Sequence, residues 1–393
     1  MTERELATDV VTKLQAAGYT ALWAGGCVRD ELLGLPPADY DIATSATPEQ
    51  VQQLFRRCHS FGASFGVVEV LGPRDEHGDW LKVQVATFRT DGSYTDGRRP
   101  DTVQYSSPEE DAARRDFTIN GLFFDPVTKQ VMDYVGGKAD LEARVLRAIG
   151  DPVARFTEDK LRVLRAVRMA ARFNLTVEDQ TWQAVVRMAE QIRVVSVERI
   201  AEELRKMLVH PSRGRGMTLL RDSGLLKLIL PEASELPAKL ASPEVMLVAF
   251  ELVLAALLRN CEPKIVGRVA KRLKLSNQEA DDVIWLVTVQ QLLVRNPAPP
   301  RSTLFPILAD ERGILLVLFL HLCGNSEAGE YARKAKNQHT LAELNPPPLL
   351  TGDDLKALGY KPGPQFKAWL DELRRKQLDG ELTSRADAEV WIS

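Results

Sequence analysis

The chain of 393 residues is 45% hydrophobic and 27% charged, and its formal net charge is −3. This composition is typical of a folded globular protein, and the length predicts two or more hydrophobic cores. The longest apolar runs are too short to cross a bilayer and no secretory signal begins the sequence, so we expect a cytoplasmic protein. Four cysteines without a CxxC pair argue against a zinc site and a disulfide framework.

Helices and strands are both predicted in the first 143 residues. A helix over residues 4–17 and a short strand over 22–24 lead into Gly25-Gly26, and the next helix, over 28–33, ends before Pro36-Pro37. The later predicted elements are a strand over 40–43, a helix over 48–56 and a hairpin of strands 65–71 and 80–88. The pattern predicts an α+β head domain with a mixed sheet.

From about residue 141 onward, helical periodicity replaces the strand signals. We expect an all-α remainder made of a neck over 144–210, a body over 211–296 and a tail over 297–393. The predicted helices cover residues 158–173, 179–192, 196–208, 214–223, 245–258 and 264–273. Residues 147–221 hold fifteen Lys and Arg against nine Asp and Glu. That balance fits a phosphate-facing surface and a solvated helical surface equally well.

The first motif with chemical content joins AGGCVRD at residues 24–30 to ADYDIATSATP at 38–48. Side chains two apart in a strand point to the same side, so Asp39 and Asp41 form a pair of carboxylates that repel unless cations bind between them. Hard oxygen ligands of this kind suit Mg²⁺, and we expect two such ions. The Gly25-Gly26 turn lets backbone N–H groups approach a phosphate, and Arg29 adds a positive charge.

A second motif, DAARRDFTINGLFFDP, occupies residues 111–126. Its polar groups lie directly before an apolar run, which favours two interpretations. In the functional one, Arg115 contacts phosphate while Asp116 and Asn120 lie near a ribose hydroxyl. In the structural one, Asp116 is only the N-cap of a helix.

The third motif, RFTEDKLRVLRAVRMAARF, covers residues 155–173 and is predicted as one helix with Thr157 as its N-cap. Steps of three turn a helix face by roughly 60°, so Asp159, Arg162 and Arg165 would form one polar stripe opposite an apolar face. Glu158 and Arg168 lie on the same predicted helix. The alternative is salt-bridge decoration of an exposed helix.

In this order and spacing, the three motifs resemble those of the class II (bacterial-type) tRNA nucleotidyltransferase and poly(A) polymerase superfamily. The resemblance is dense over residues 20–229 and weaker beyond. It implies that Gly26, Arg29, Asp39 and Asp41 bind a nucleoside triphosphate and Mg²⁺. It implies further nucleotide contacts, with Glu158 in support, for Arg115, Asp116, Asn120, Asp159, Arg162, Arg165 and Arg168.

The resemblance also implies that Asp159 and Arg162 select the incoming base. Cytosine and adenine each present an amino donor beside a bare ring nitrogen, which a carboxylate and a guanidinium complement. Uracil and guanine reverse that order, and each mismatched group costs on the order of 1–3 kcal/mol. The implied activity is addition of CCA to the 3′ end of tRNA from CTP and ATP, with the tail binding tRNA.

Three alternatives remain at this point. An A-adding enzyme that completes tRNA ending in CC shares every motif above. A poly(A) polymerase is disfavoured because FGASFGVVEV, from residue 61, lacks a basic-aromatic signature, and a non-catalytic RNA-binding protein would not need both Asp39 and Asp41. Residues 88–105 resemble the flexible loop of complete CCA-adding and A-adding enzymes, which disfavours a CC-adding enzyme.

The sequence departs from the superfamily pattern near the predicted metal site. Many relatives carry a third carboxylate on the strand over 83–88, where this chain has Gln84. Either Glu69 on the neighbouring strand compensates, or two carboxylates suffice. No HD dipeptide occurs, which excludes an appended metal phosphohydrolase domain of that type.

Overall fold

A computed structural model of the chain describes residues 1–60, 66–92, 102–246 and 248–393. The chain divides into two compact units. Unit 1 comprises residues 1–203 and 218–229, and unit 2 comprises residues 204–217 and 230–393. The finer division into head, neck, body and tail stays a prediction.

The described strands all lie in unit 1. They are β1 (Ala21–Ala24), β2 (Asp41–Thr44), β3 (Cys58–Ser60), β4 (Val67–Arg74), β5 (Trp80–Thr87), β6 (Arg89–Asp91), β7 (Val103–Tyr105), β8 (Leu122–Asp125), β9 (Gln130–Asp133), β10 (Val145–Leu146) and β11 (Thr176–Val177). The helices up to residue 188 are α1 (Glu3–Ala16), α2 (Gly26–Leu32), α3 (Pro48–Leu54), α4 (Pro108–Ala113), α5 (Gly137–Glu142), α6 (Pro152–Glu158), α7 (Arg162–Arg172) and α8 (Asp179–Met188).

The remaining described elements are helical, as the sequence predicts. Helices α9 (Val197–Leu208) and α10 (Arg213–Asp222) each run from one unit into the other, and α11 (Leu225–Ile229) follows in unit 1. Those of unit 2 are α12 (Ala238–Ala241), α13 (Phe250–Leu258), α14 (Pro263–Arg272), α15 (Asn277–Arg295), α16 (Arg301–Ala309), α17 (Gly313–Leu322), α18 (Ser326–Gln338), α19 (Leu341–Leu344), α20 (Gly352–Ala357), α21 (Pro364–Asp379) and α22 (Arg385–Ile392).

The main sheet of unit 1 has seven strands in the order β3-β4-β5-β2-β1-β8-β9. Only β2 and β5 pair in parallel; the other neighbours are antiparallel. Because β1 runs antiparallel to both β2 and β8, its carboxyl end meets the amino ends of those two strands. One edge of the sheet therefore brings together the Gly25 turn, Asp41 and the segment before Leu122, where the N–H of Gly25 donates to the carbonyl of Leu122 at 2.9 Å.

Helix α1 covers this sheet with one apolar face. Its buried side chains recur at helical spacing, and it packs on β1, β2 and β5. Thr2 and Glu5 form a capping box that fixes where the helix begins. Burial of the opposing apolar faces places the strand ends, and with them the polar motifs, in fixed positions.

Three parts of the sequence prediction need correction. The apolar run before Asp125 is the strand β8, paired with β1 and β9, and was not predicted as a strand. Two short strands, β10 and β11, occur beyond residue 141. The helix predicted over 158–173 is interrupted: α6 is capped by Asp151, and Thr157 lies inside it.

The interruption falls at Asp159, which has an extended backbone with φ −136° and ψ 105°. Its Oδ1 accepts the backbone N–H of Leu161 at 3.1 Å, and its carbonyl accepts that of Arg162 at 3.0 Å. The residue therefore ends one helix and caps the turn that enters the next. Asp159 is not on the polar stripe that helical spacing predicts.

Unit 2 contains a buried arginine at the beginning of α10. Arg213 is 0% exposed, and its guanidinium donates to five backbone carbonyls. These acceptors belong to Leu208, Val209, Leu240, Val245 and Met246. Hydrogen bonds to backbone dipoles thus replace the water that burial removes from this cation.

Two helices of unit 2 are strongly apolar. Helix α13 has eight buried side chains among its nine residues, and α17 reads GILLVLFLHL. Across the ranges described, we find no helix with both the length and the hydropathy needed to cross a membrane.

Candidate active site

The Gly25-Gly26 turn lies between β1 and α2. Gly25 has φ +73°, a backbone conformation that favours glycine, and a Cβ there would lie 2.6 Å from Nη1 of Arg115, so a larger residue would also displace that guanidinium. Helix α2 begins at Gly26, and the first N–H groups of a helix have no intrahelical acceptor. The chain thus presents backbone donors beside the arginine of the second motif.

Arg29 follows one turn later and is only 7% exposed. Its Nε donates to Asp30 at 2.8 Å, its Nη1 donates to Oδ1 of Asn120 at 2.5 Å, and its guanidinium stacks 4.2 Å from the ring centroid of Phe173. Burial lowers the pKa of Arg29, and Asp30 opposes that shift. The contacts hold the guanidinium in a fixed orientation and leave part of its five N–H donors for another acceptor.

Asp39 and Asp41 lie at the amino end of β2, where both side chains are exposed. Partial removal of water by the surrounding protein, and then the charge of Asp39, raise the pKa of Asp41 to about 6, although Arg115 lowers it. Neither carboxylate forms an ion pair within the ranges that the structure describes.

Gln84 of β5 lies directly beside Asp41, and Glu69 of β4 lies beside Gln84 in the same cross-strand row. Glu69 is 3.7 Å from Nζ of Lys82, which compensates its charge. Among the residues that can be described, no three His, Cys, Asp or Glu side chains form a cluster able to hold a metal. Glu69 is therefore not grouped with the two aspartates.

Hydrogen bonds to Asp111 and Asn120 hold the guanidinium of Arg115 in place. Asp111 accepts from its Nε at 3.2 Å and from its Nη2 at 2.9 Å, and the carbonyl of Asn120 accepts from Nη1 at 3.2 Å. This places its positive charge next to Gly25 and close enough to Asp41 to affect that carboxylate.

Asp116 connects the second motif to α7. Its Oδ1 accepts from the side-chain amide of Asn120 at 2.9 Å, and its Oδ2 accepts from Nε and Nη2 of Arg165 at 3.0 and 2.7 Å. Burial alone raises the pKa of Asp116, but Arg165, Asn120 and Arg162 together bring it well below its usual range. A chain of hydrogen bonds therefore runs from Arg29 through Asn120 and Asp116 to Arg165.

The structure pairs the predicted base-selecting residues with other partners. Arg162 donates to Glu158 at 2.6 Å, whereas both oxygens of Asp159 accept from Arg199, at 3.1 and 2.6 Å. Asp159 and Arg162 are both largely buried, with side chains 15% and 12% exposed. Sequence reasoning missed Arg199, because it lies forty residues away at the beginning of α9 and no local spacing connects it to Asp159.

Arg168 forms an ion pair with Glu203, and the two are 8% and 5% exposed. This pair joins α7 to α9 behind the residues above. A nucleotide contact for Arg168 stays a prediction.

Residues 93–101 of the predicted flexible loop and residues 61–65 lie outside the described residues. The strands β6 and β7 on either side of that loop pair antiparallel.

Comparison with known proteins gives two family matches and full-length relatives. Residues 21–147 match the "Poly A polymerase head domain" model, and residues 174–236 match the model described as "Probable RNA and SrmB- binding site of polymerase A". The CCA-adding enzyme of Levilactobacillus brevis is 34% identical, with 99% of this chain and 97% of the relative covered. This chain belongs to the CCA-adding enzyme family.

Other members of the CCA-adding family agree in sequence and fold. The CCA-adding enzyme of Streptococcus gordonii is 38% identical, with 98% of this chain and 96% of the relative covered. The crystal structure of the Bacillus stearothermophilus CCA-adding enzyme in complex with CTP superposes with a TM-score of 0.80 at 29% identity, covering 100% and 97% of the two chains. The predicted family and fold class are confirmed.

Proposed function

We propose that this chain is a nucleotidyltransferase that adds C, C and A to the 3′ end of tRNA, using CTP and ATP and releasing pyrophosphate. The observation that carries the proposal is the sheet edge where the Gly25 turn, Asp41 and Arg115 meet. It brings backbone donors, a guanidinium and two exposed carboxylates to one edge of the sheet. Relatives over nearly the full chain are CCA-adding enzymes.

In this proposal, Asp39 and Asp41 hold Mg²⁺, and two ions are expected. The donor set fits, because two hard carboxylates lie together, with the pKa of Asp41 raised to about 6 by desolvation and by Asp39. When bound, the ions would lower the pKa of the attacking hydroxyl and neutralise charge on the phosphates. Gln84, next to Asp41, leaves the carboxylate count at two.

The reaction joins the tRNA 3′-oxygen to the α-phosphorus and breaks the bond from that phosphorus to the bridging oxygen of pyrophosphate. Phosphoryl transfer of this kind depends on positioning and charge neutralisation more than on covalent chemistry. Gly26, Arg29 and Arg115 supply donors for the triphosphate, and Gly25 forms the turn that presents them. Asp116 and Asn120 orient Arg165 and Arg29, and in this proposal they also bind a ribose hydroxyl.

Base selection rests on Asp159 and Arg162 in this proposal. Arg199 fixes the plane of the Asp159 carboxylate, and Glu158 fixes Arg162. A carboxylate has about four acceptor sites; Arg199 takes two and the N–H of Leu161 takes a third, so one remains for an amino group. Cytosine and adenine offer that amino group beside a ring acceptor, whereas uracil and guanine do not. The protein would thus act as the template.

The proposal is tested with two tRNA transcripts, one ending at the discriminator base and one ending in CC, each incubated with one nucleoside triphosphate at a time. We expect CTP to be incorporated into the first transcript and ATP into the second. ATP use confined to the second transcript, without any CTP use, would overturn CCA addition in favour of A addition. No incorporation into either transcript would exclude both activities.

A further inference from the structure

Helix α14 carries the most one-sided charge among the described helices of unit 2. Its sequence PKIVGRVAKR contains four basic residues and no acidic one. Val266, Val269 and Ala270 are buried and pack the helix against α15, so the opposite face is turned outward. Helix α18 differs, because two of its cations lie next to an acidic side chain.

The outward face presents a row of three cations, Lys264, Arg268 and Lys271. Their spacing of four and then three residues keeps them within roughly 60° of one face, along about 10 Å of helix. All three are exposed, and within the ranges that the structure covers none of them forms an ion pair, although Arg268 lies close enough to Glu232 to help lower the pKa of that carboxyl. At the end of the helix, Arg272 forms a two-pronged ion pair with Glu232, at 2.7 and 2.6 Å, which anchors α14.

Helix α18 shows a different arrangement of surface charge. There, Arg333 and Lys334 both lie beside Glu330, at 2.8 and 3.7 Å. Surface cations paired in this way offer little net field to a ligand. The row of Lys264, Arg268 and Lys271 is a local positive surface on a chain whose formal net charge is −3.

We propose that Lys264, Arg268 and Lys271 form a docking surface for the phosphate backbone of tRNA. The inference rests on the proposed function for the identity of the RNA and assigns its contact to the body segment, outside the predicted tail. Complementary charge argues for this partner: regularly spaced anionic groups match a row of cations on a rigid helix, and such contacts position a nucleic acid without reading its sequence.

The test is equilibrium binding of tRNA by the full chain over a range of salt concentrations. The triple variant Lys264→Gln/Arg268→Gln/Lys271→Gln should bind tRNA about 10-fold or more weakly at low salt. The slope of log affinity against log salt should fall in magnitude by about 2, since each lost phosphate contact removes roughly 0.7 to 0.9. The variant Lys264→Arg/Arg268→Lys/Lys271→Arg, which keeps the charges, should bind like the wild type.

The matched control is Arg333→Gln/Lys334→Gln/Lys356→Gln, which removes three charges that have acidic partners. We expect its tRNA affinity to stay within about 2-fold of the wild type. Equal weakening by the control, or an unchanged affinity and salt slope in the Lys264 triple variant, overturns the docking surface. If the triple variant melts early, Lys271→Gln alone replaces it, with an expected slope change of about 0.7 to 0.9.

Binding is measured without catalysis, so this result is separate from that of the proposed function. A chain that adds no nucleotide to tRNA would contradict the proposed function whatever the row does. A chain that adds CCA but binds tRNA equally well without the row would contradict only the docking surface. The dissociation constant for CTP should not change in the triple variant, because the row lies in unit 2 and the triphosphate residues lie in unit 1.

Discussion

The two ends of the candidate site differ in whether their carboxylates are paired with an arginine. At the sheet edge, Asp39 and Asp41 lie together without an ion-pair partner among the described residues, and the pKa of Asp41 is raised to about 6. On α7 and its neighbours, Asp116 and Asp159 each accept two hydrogen bonds from an arginine. The first end is incomplete without a cation, whereas the second is already ordered by the protein.

The largest effect on activity is expected from a substitution at the sheet edge. We expect Asp41→Ala to reduce nucleotide transfer by at least about 1,000-fold, because one of the two groups that would hold the metal is gone. The tRNA affinity should remain close to that of the wild type, since phosphate contacts of the helical unit supply it. Labelled CTP incorporation and filter binding measure the two effects.

Glu76→Ala, an exposed carboxylate of the β4–β5 hairpin, is the control for that substitution and should keep full activity. Loss of tRNA binding in parallel with transfer would contradict this division of roles.

The second largest effect is expected on stability, at the buried ion pair of Arg168 and Glu203. Arg168→Met leaves Glu203 buried without its partner, which costs about 3–5 kcal/mol of stability. The double variant Arg168→Met/Glu203→Leu should recover most of the loss, because both charges are then absent. Thermal unfolding measures the effect, and a double variant no more stable than the single one would contradict it. A raised KM for CTP in the stable double variant would support a nucleotide contact by Arg168.

An effect of intermediate size is expected on the selection of the incoming base. Arg199→Met should lower the preference for CTP over UTP in kcat/KM by about 10-fold, because the Asp159 carboxylate loses its fixed plane. Arg199→Lys should restore only part of it, since an ammonium group cannot bind both oxygens in one plane. Arg193→Met, which removes an exposed ion pair with Glu190, is the control and should leave the preference unchanged.

Asp159→Ala should relax base choice more than it weakens triphosphate binding. Adding Arg199→Met to that variant should then have no further effect on selectivity. A further loss in the double variant would show that Arg199 does not act through Asp159.

The smallest expected effect is on stability. The folded-state pKa of Asp41, about 6, lies above the ordinary aspartate value of 3.8, so ionisation opposes folding above pH 6 and has no such effect below about pH 4. In metal-free buffer at pH 7.5, Asp41→Asn should be more stable by about 1 kcal/mol after solvent screening, a rise in Tm of about 2 °C. The difference should vanish at pH 4, and equal gains at both pH values would contradict it.

How far the sequence predicts the site follows from which contacts are local. The turn at Gly25 and the strand with Asp41 carry their own signals in glycine spacing and alternation, so both were predicted close to their observed bounds. Asp159 was placed inside a helix, because periodicity does not reveal that its side chain caps the next turn. Its pairing with Arg199, forty residues away, depends on how α9 packs and leaves no trace in local spacing.

The strand β8 was missed for a related reason. Its four residues LFFD follow a polar motif and do not alternate between apolar and polar side chains. The side chains of β8 are largely buried on both faces of the sheet, and a short apolar run of this kind resembles a buried helix segment in sequence. Pairing with β1 and β9 makes this segment a strand, and that pairing is a property of the assembled sheet.

The buried Arg213 has a consequence for which substitutions the chain tolerates. Each of its five acceptors is a main-chain oxygen, so the side chains at residues 208, 209, 240, 245 and 246 can change without removing an acceptor. The donor itself has no equivalent, because lysine has no planar fork to reach several carbonyls at once. A mutational scan of unit 2 should therefore show Arg213 as intolerant, whereas the exposed acceptor residue Met246 should tolerate substitution.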